Sequence, residues 1–225
     1  MASRNHLAID EWYHCYNRGV DKRQIFDNED DANRFMMLLY LCNSSKPVAL
    51  YDMHKPELQK AFQEDRDDSL VAIGAFCLMP NHYHLLIKEI IDGGITSFMR
   101  KIGTAYTMYF NAKYERVGHL FCGQFRSRHV MNDRYFQKVL QYIHCNPAEL
   151  YESGWKSGRV RSMSLLEKKL LAYQYSSLAG YSQRQYASPI LSHDGFNVAQ
   201  LLSVSRMLED AREYYAEVSK ERFER

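Results

Sequence analysis

The order of predicted elements in this 225-residue chain indicates an α+β fold, in which an antiparallel sheet carries helices on one face. Apolar runs of strand length alternate with longer segments of helical periodicity. Two of those runs, residues 70–79 and 82–87, are separated only by Pro80 and Asn81, and strands joined by so short a turn pair antiparallel. Together these observations predict a ferredoxin-like (RRM-like) sheet, followed by a C-terminal helical extension.

Each predicted helix has residues at its ends that typically begin or stop helices. The first is opened by the acidic and capping residues of Asp27–Asp30, the second stops before Gly118, and the third lies between Asn132 and Pro147. The predicted order is strand 11–18, helix 30–42, strand 70–79, strand 82–87, helix 96–114, strand 123–130 and helix 134–145.

The rest of the chain divides into a polar segment and an extension. Residues 43–69 are polar and acidic, which predicts a loop with a short helical piece, inserted into the fold. We therefore expect one domain over residues 1–150 and a partly helical extension over residues 151–225. The extension is helical from about residue 197, with these candidate contact positions: Leu201, Leu208, Tyr215 and Val218.

Charge is unevenly distributed along the chain, although the net charge is only +2. Residues 100–134 contain seven basic and two acidic side chains, whereas residues 51–70 contain six acidic and three basic ones. Such segregation is expected if one face meets a polyanion, and it is equally expected of two solvated surfaces.

The cysteines and the apolar runs indicate a cytoplasmic protein. The five cysteines are irregularly spaced and form no CxxC motif, which predicts reduced thiols. The first residues lack the apolar core of a signal peptide, and no apolar run approaches the length of about 20 residues that a membrane span needs. We expect no membrane partner.

The first candidate site is the HxH motif formed by His82 and His84. Side chains two residues apart on a strand point to the same face, so the two imidazoles should project together while Tyr83 points away. Two imidazoles held side by side can bind one divalent ion. An ordinary pair of surface or core histidines would give the same pattern.

The second candidate lies at the end of the helix before Pro147. Tyr142 and Asn146 are four residues apart and share a helix face. A tyrosine can act as a covalent nucleophile, and an amide oxygen can complete the coordination of a hard metal ion. Alternatively, Tyr142 packs in the core and Asn146 only ends the helix.

In combination these motifs resemble the REP-associated tyrosine transposases, which are single-tyrosine transposases of the HUH class. The resemblance rests on the HxH strand after Met79–Pro80 and on the helix end Tyr142–Pro147. It extends to segments with the sequences YHCYNRG (residues 13–19), RQIF (23–26), GQFRSR (123–128) and YSS (175–177). Altogether it covers about residues 12–181.

The resemblance implies that residues 1–150 form a catalytic domain that cuts and rejoins single-stranded DNA at hairpin-associated sites. Tyr142 would attack the DNA phosphate to form a 5′-phosphotyrosine, and His82, His84 and Asn146 would hold Mg²⁺ or Mn²⁺. Relatives exist as dimers and as monomers, so a homodimer is one expected state, and association with the nucleoid is expected. Candidate contacts to the DNA backbone are Arg100, Lys113, Arg116, Arg126 and Arg128.

Two other functions are open to a chain with these motifs. A catalytically silent, domesticated relative would only bind nucleic acid, since the same kind of sheet is the RNA-binding platform of RRM domains. A zinc hydrolase could combine the HxH pair with His119 or Cys122, and would need no tyrosine.

Overall fold

The computed structural model describes residues 7–47, 58–182, 189–200 and 202–223, with only the backbone of residues 218–223. Within them the α+β prediction is confirmed: four strands form one sheet and helices surround it. The elements are β1 (Trp12–Arg18), α1 (Glu29–Leu41), α2 (Leu58–Ala61), β2 (Val71–Met79), β3 (His82–Glu89), α3 (Gly94–Lys113), β4 (Arg126–Val130), α4 (Asp133–Cys145), α5 (Ala148–Tyr151), α6 (Met163–Leu171), α7 (Leu178–Ser182), α8 (His193–Val198) and α9 (Val204–Phe223).

The sheet is antiparallel throughout, in the order β2-β3-β1-β4. The hairpin at Pro80–Asn81 joins β2 to β3, as predicted. The first strand lies between the third and the fourth, where Tyr16 pairs with His84 on one side and with Arg126 on the other. This order is that of a ferredoxin-like βαββαβ unit, so β1 and β3 occupy the centre of the sheet.

Helices cover both faces of the sheet, whereas the sequence predicted helices on one face, because α4 packs on the side opposite to the first two long helices. Helices α1 and α3 lie on one face, where Tyr83 contacts Phe35. Helix α4 lies on the other face, where Trp12 packs edge-on against Phe136 with ring centroids 5.1 Å apart. Because side chains alternate along a strand, Tyr83 belongs to the α1/α3 face, and His82 and His84 belong to the α4 face. We call the α4 side of the sheet the site face.

Strand β4 is shorter than the sequence predicted. It begins at Arg126 and not at residue 123, because Gly123 adopts a positive φ of 74° that a strand cannot contain. The preceding residues still follow β1 through an isolated bridge between Gly19 and Phe121. The alternating basic strand is therefore confined to Arg126–Val130.

The C-terminal extension packs on the main domain and builds a second apolar cluster beside it. Tyr181, Ile190, Leu191 and Tyr214 belong to the main core. The second cluster surrounds the buried Trp155 and draws mainly on α6 and α9. Helix α9 runs along α4, where Lys138 pairs with Glu213 at 2.9 Å. The division of the chain near residue 150 stays a prediction.

The contact face of α9 differs from the predicted one. Leu208 is buried as predicted, but Tyr214 is the fully buried tyrosine and Tyr215 is only half-buried. Tyr215 follows Tyr214 by one residue, which is a rotation of about 100° around the helix axis and carries its side chain away from the centre of the buried face. Leu201 and the side chain of Val218 lie outside the described residues. The buried stripe consists of Val204, Met207, Leu208, Ala211 and Tyr214.

The polar segment 43–69 contains the short helix α2 within its described part, and residues 48–57 lie outside the described residues. None of the described helices is long and apolar enough to cross a bilayer.

A buried carboxylate ties α1 to α3. Asp31 is fully buried, and its oxygens accept hydrogen bonds from Lys113 Nζ at 2.7 Å and from the Tyr114 hydroxyl at 2.7 Å. Burial alone would raise the pKa of Asp31, but these bonds and one from the Asp27 backbone outweigh it and hold that pKa below its usual value.

Replacing Asp31 by Asn should lower the free energy of unfolding by about 2 kcal/mol near pH 7, because it leaves the Lys113 ammonium group without its anion. Because folding lowers the pKa of Asp31, its contribution to stability is complete above the pKa of the unfolded chain, about 4. The contribution is lost as the pH falls through the pKa of Asp31 in the folded protein. Urea unfolding at pH 7 and at pH 3 measures both effects. Asp30→Asn removes an exposed charge one residue away and is the matched control, with a cost of a few tenths of a kcal/mol.

Candidate active site

The two histidines of the HxH motif lie side by side on β3. Both project from the site face, with ring centroids 5.0 Å apart and ring planes nearly perpendicular at 87°. His84 is buried, whereas His82 is half-buried and faces the end of the sheet where β3 begins. The strand therefore delivers two imidazoles to one place, as the two-residue spacing predicted.

Asn81 fixes the orientation of the His82 ring. Its amide nitrogen donates to the Lys22 carbonyl at 3.3 Å, which turns its oxygen toward His82 Nδ1 at 2.6 Å. An amide oxygen can only accept, so His82 Nδ1 carries the proton. Burial lowers the pKa of His82 to about 4, so the ring is neutral at physiological pH and its Nε2 is unprotonated.

Helix α4 brings Tyr142 and Asn146 to the same place. The half-buried Tyr142 ring stands edge-on to His84, with centroids 5.3 Å apart. The buried Asn146 side chain is hydrogen-bonded to the His82 ring, and its nitrogen donates to the Tyr142 carbonyl at 2.8 Å. The four residues predicted from the sequence as nucleophile and metal ligands thus come together on the site face.

The structure adds two residues that sequence reasoning missed. His14 on β1 lies beside His84, with 2.8 Å between His14 Nε2 and His84 Nδ1. Tyr214 on α9 places its hydroxyl 2.7 Å from His14 Nδ1 and its ring 4.8 Å from that of Tyr142. Burial, and then the charge of Arg128, lower the pKa of His14 to about 3, so it is neutral. The YHCYNRG segment was the available signal for His14, whereas no local motif marked Tyr214.

Positive charge borders the site. On β4, Arg128 lies opposite His14 in the strand register. Its guanidinium is 5.6 Å from the centre of the Tyr214 ring. Arg126 is exposed at the edge of the same face. On the His82 side the charges are mixed: Glu149 acts most strongly on His82, followed by Lys156 and Arg18, and Lys156 pairs with Glu149 at 2.7 Å. None of these three residues was predicted as part of the site.

The other predicted DNA contacts lie away from this site. Three of them lie on helix α3 or just after its end, on the other side of the sheet: Arg100, Lys113 and Arg116. Lys113 is engaged by Asp31, and Arg116 donates to the Asn111 side chain at 3.1 Å. The structure therefore does not bring these three residues to Tyr142, and contact with DNA at that face stays a prediction.

His144 has a structural position although it is next to the site in sequence. It is fully buried, and its Nε2 lies 2.8 Å from the Ser177 hydroxyl. Ser177 also accepts from the Phe76 backbone nitrogen at 3.0 Å, which ties α4 to the outer edge of β2. The YSS segment thus braces the helix that carries Tyr142.

The donor set determines which metal could fit. In the described parts of the chain, no three His, Cys, Asp or Glu side chains are grouped to hold a metal ion, so His119 and Cys122 do not complete a zinc site with the HxH pair. Two imidazoles and the Asn146 amide form an N₂O set, which fits Mn²⁺ and, less well, Mg²⁺.

The fold and the site define a protein with a helix-borne tyrosine beside a histidine pair on a ferredoxin-like sheet. Residues 12–146 match the family model described as "Transposase IS200 like". The chain belongs to this family of transposases, which are DNA-processing enzymes.

Comparison with solved structures gives several similar chains. One of them, described as a REP-associated tyrosine transposase bound to a REP hairpin, is 14% identical to this chain, with a TM-score of 0.49. The match covers 90% of this chain and 96% of that one. A search of curated proteins finds no match.

Replacing Ser177 by Ala should lower the free energy of unfolding by about 2 kcal/mol, because His144 Nε2 and the Phe76 nitrogen lose a buried partner. Ser182→Ala removes an exposed hydroxyl close by and should change it by less than about 0.5 kcal/mol. Equal urea midpoints for the two variants would show that the hydrogen bonds of Ser177 do not contribute to the free energy of unfolding.

Proposed function

We propose that this protein is a metal-dependent transposase that cleaves and rejoins single-stranded DNA at hairpin-associated sites through a 5′-phosphotyrosine. The observation that carries the proposal is the placement of the Tyr142 ring against His84 on the site face. A tyrosine on a helix and an HxH pair on a strand are remote in sequence, and only the fold brings them together. The half-buried tyrosine is reachable from outside the domain.

In the proposed cleavage step, the Tyr142 hydroxyl oxygen attacks the phosphorus of the scissile phosphate. The oxygen–phosphorus bond forms as the bond from phosphorus to the 3′ oxygen breaks. The phenol gives its proton to solvent, and the departing 3′ oxygen takes one up. Tyr142 then carries the 5′ phosphate. In rejoining, a 3′ hydroxyl attacks that phosphorus and tyrosine leaves, so one ester replaces another and no ATP is needed.

His82, His84 and Asn146 would hold the metal ion, and members of this family generally depend on one. Bound there, Mn²⁺ or Mg²⁺ would supply positive charge to a non-bridging phosphate oxygen. The neutral state of His82 suits this role, since a protonated imidazole has no lone pair to give. Asn81 and His14 hold the two rings in place through their Nδ1 atoms.

The proposed substrate is single-stranded or hairpin DNA. Arg126 and Arg128 on β4 are placed to contact its phosphates next to Tyr142, and Arg18 adds positive charge on the His82 side. Because a single chain brings Tyr142 to the histidines, we propose that the site assembles without a partner subunit. A homodimer stays a prediction, as does a place in the cytoplasm at the nucleoid.

Replacing Tyr142 by Phe should abolish covalent attachment to DNA, because the ring is kept and only the attacking oxygen is removed. The measurement is a denaturing gel of a labelled single-stranded hairpin oligonucleotide incubated with protein and Mn²⁺. Wild-type protein should give a protein–DNA adduct and a free 3′ end, and EDTA should prevent both. Tyr40→Phe removes a hydroxyl on α1, where it donates to the Glu64 carbonyl, and should leave the adduct unchanged.

Three results would contradict the proposal. Cleavage that survives Tyr142→Phe would indicate a hydrolase that uses water. Wild-type protein that binds the hairpin but forms no adduct would indicate the catalytically silent alternative. Cleavage that is unaffected by replacing both His82 and His84 with Ala would remove the metal site from the mechanism.

Replacing Arg126 by Gln should weaken binding of single-stranded DNA and make it less sensitive to salt. Each phosphate contact contributes about −0.7 to the slope of log K against log salt for single strands, so the slope should become shallower by about that amount. Fluorescence anisotropy between about 50 and 200 mM salt measures it. Arg100→Gln tests the α3 side, and an equal change there would show that DNA reaches both faces.

A further inference from the structure

Three buried side chains form a continuous hydrogen-bonded row behind the candidate metal site. His84 Nδ1 and His14 Nε2 are 2.8 Å apart, and His14 Nδ1 and the Tyr214 hydroxyl are 2.7 Å apart. All three residues are at least nine-tenths buried. Each belongs to a different element, namely β3, β1 and α9, so the row joins the C-terminal helix to the centre of the sheet.

Proton positions along the row are coupled. A neutral imidazole has one N–H donor and one acceptor nitrogen, so both histidines can be satisfied in only two ways. In one, His84 Nδ1–H donates to His14 Nε2 and His14 Nδ1–H donates to the Tyr214 oxygen, so that His84 Nε2 is unprotonated. In the other, every donor is reversed and His84 Nε2 carries the proton. Only the first arrangement lets His84 bind a metal ion.

We propose that His14 and Tyr214 are positioning residues that hold His84 as the Nδ1–H tautomer, with its Nε2 presented to the metal and the scissile phosphate. This inference rests on the proposed function, in which His84 is a metal ligand. Partners of this kind, hydrogen-bonded to the far nitrogen of a ligating histidine, fix the tautomer and the ring orientation. Here the partner is a second imidazole, and its own orientation depends on a tyrosine from α9.

The surroundings of Tyr214 support this role. Its ring packs between those of Tyr135 and Tyr142, with centroids 5.7 and 4.8 Å away. Helix α9 is held against α4 by Lys138, which pairs with Glu213 at 2.9 Å and Glu217 at 3.3 Å. The C-terminal extension therefore completes the site from behind, on the side of His14 away from His84.

The test compares Mn²⁺ binding by wild-type protein with that of His14→Leu, His14→Gln and Tyr214→Phe, using isothermal titration calorimetry. His14→Leu should weaken binding by about 10- to 100-fold, because His84 loses its acceptor. His14→Gln offers an amide oxygen to His84 and should recover most of that loss. Tyr214→Phe should weaken binding by up to about 10-fold. His129→Leu, on the neighbouring strand, and Tyr215→Phe, on α9, are the matched controls and should bind as wild type.

A second measurement distinguishes positioning from simple packing. Long-range ¹H–¹⁵N NMR of histidine-labelled protein with saturating Mg²⁺ should show both His14 and His84 as Nδ1–H tautomers in wild-type protein. In His14→Leu, His84 should no longer favour the Nδ1–H tautomer. If His14 only packed against its neighbours, the NMR signal that reports the tautomer of His84 would not change. Circular dichroism and urea unfolding verify that each variant is folded. If His14→Leu does not fold, the Mn²⁺ affinity and the His84 tautomer of His14→Gln and Tyr214→Phe are compared with those of wild-type protein.

The outcomes separate this inference from the proposed function. A folded His14→Leu variant with wild-type Mn²⁺ affinity, or a wild-type His84 protonated at Nε2 with Mg²⁺ bound, overturns the positioning role and leaves cleavage by Tyr142 intact. Weakened metal binding in the variants, with no DNA adduct from wild-type protein, supports the positioning role and overturns the proposed function. A wild-type protein that binds neither metal ion overturns both.

Discussion

The antiparallel register of β1 against β3 is the constraint on which the site depends. It places Tyr16 opposite His84 and Arg18 opposite His82, so that one face of two central strands carries the candidate metal ligands and their support. The side-chain period of a strand is two, and a slip of one residue would exchange this set for the apolar side chains of the other face. Those apolar side chains, among them Tyr83, are buried against α1 and α3, so core packing opposes such a slip.

Much of this arrangement could be predicted from local sequence patterns. The Pro80–Asn81 turn and the HxH spacing predicted a hairpin with both histidines on one face, and the four-residue interval from Tyr142 to Asn146 predicted a shared helix face. The structure shows these side chains together, because α4 packs across the face that β3 presents. Their chemical roles stay predictions, since proximity does not demonstrate a reaction.

The parts that sequence did not predict depend on contacts between remote segments. His14 lies near His84 only because β1 inserts between β3 and β4, and no periodicity specifies that strand order. Residues 214 and 215 are both tyrosine, so their identity does not show which one is buried. The packing of α9 on α4 decides that it is Tyr214. Likewise, Arg128 borders the site while Lys113 is engaged by Asp31, although both belong to one basic stretch of the chain.

The measurement that tests the central claim most directly is tandem mass spectrometry of protein trapped on a single-stranded hairpin substrate with Mn²⁺ and digested with trypsin and nuclease. Trypsin releases residues 139–156, which contain Tyr142 and Tyr151. The account predicts a nucleotide phosphate on this peptide, with fragment ions that place it on Tyr142. A phosphate located on Tyr151, on Tyr214 or on any other side chain would contradict it.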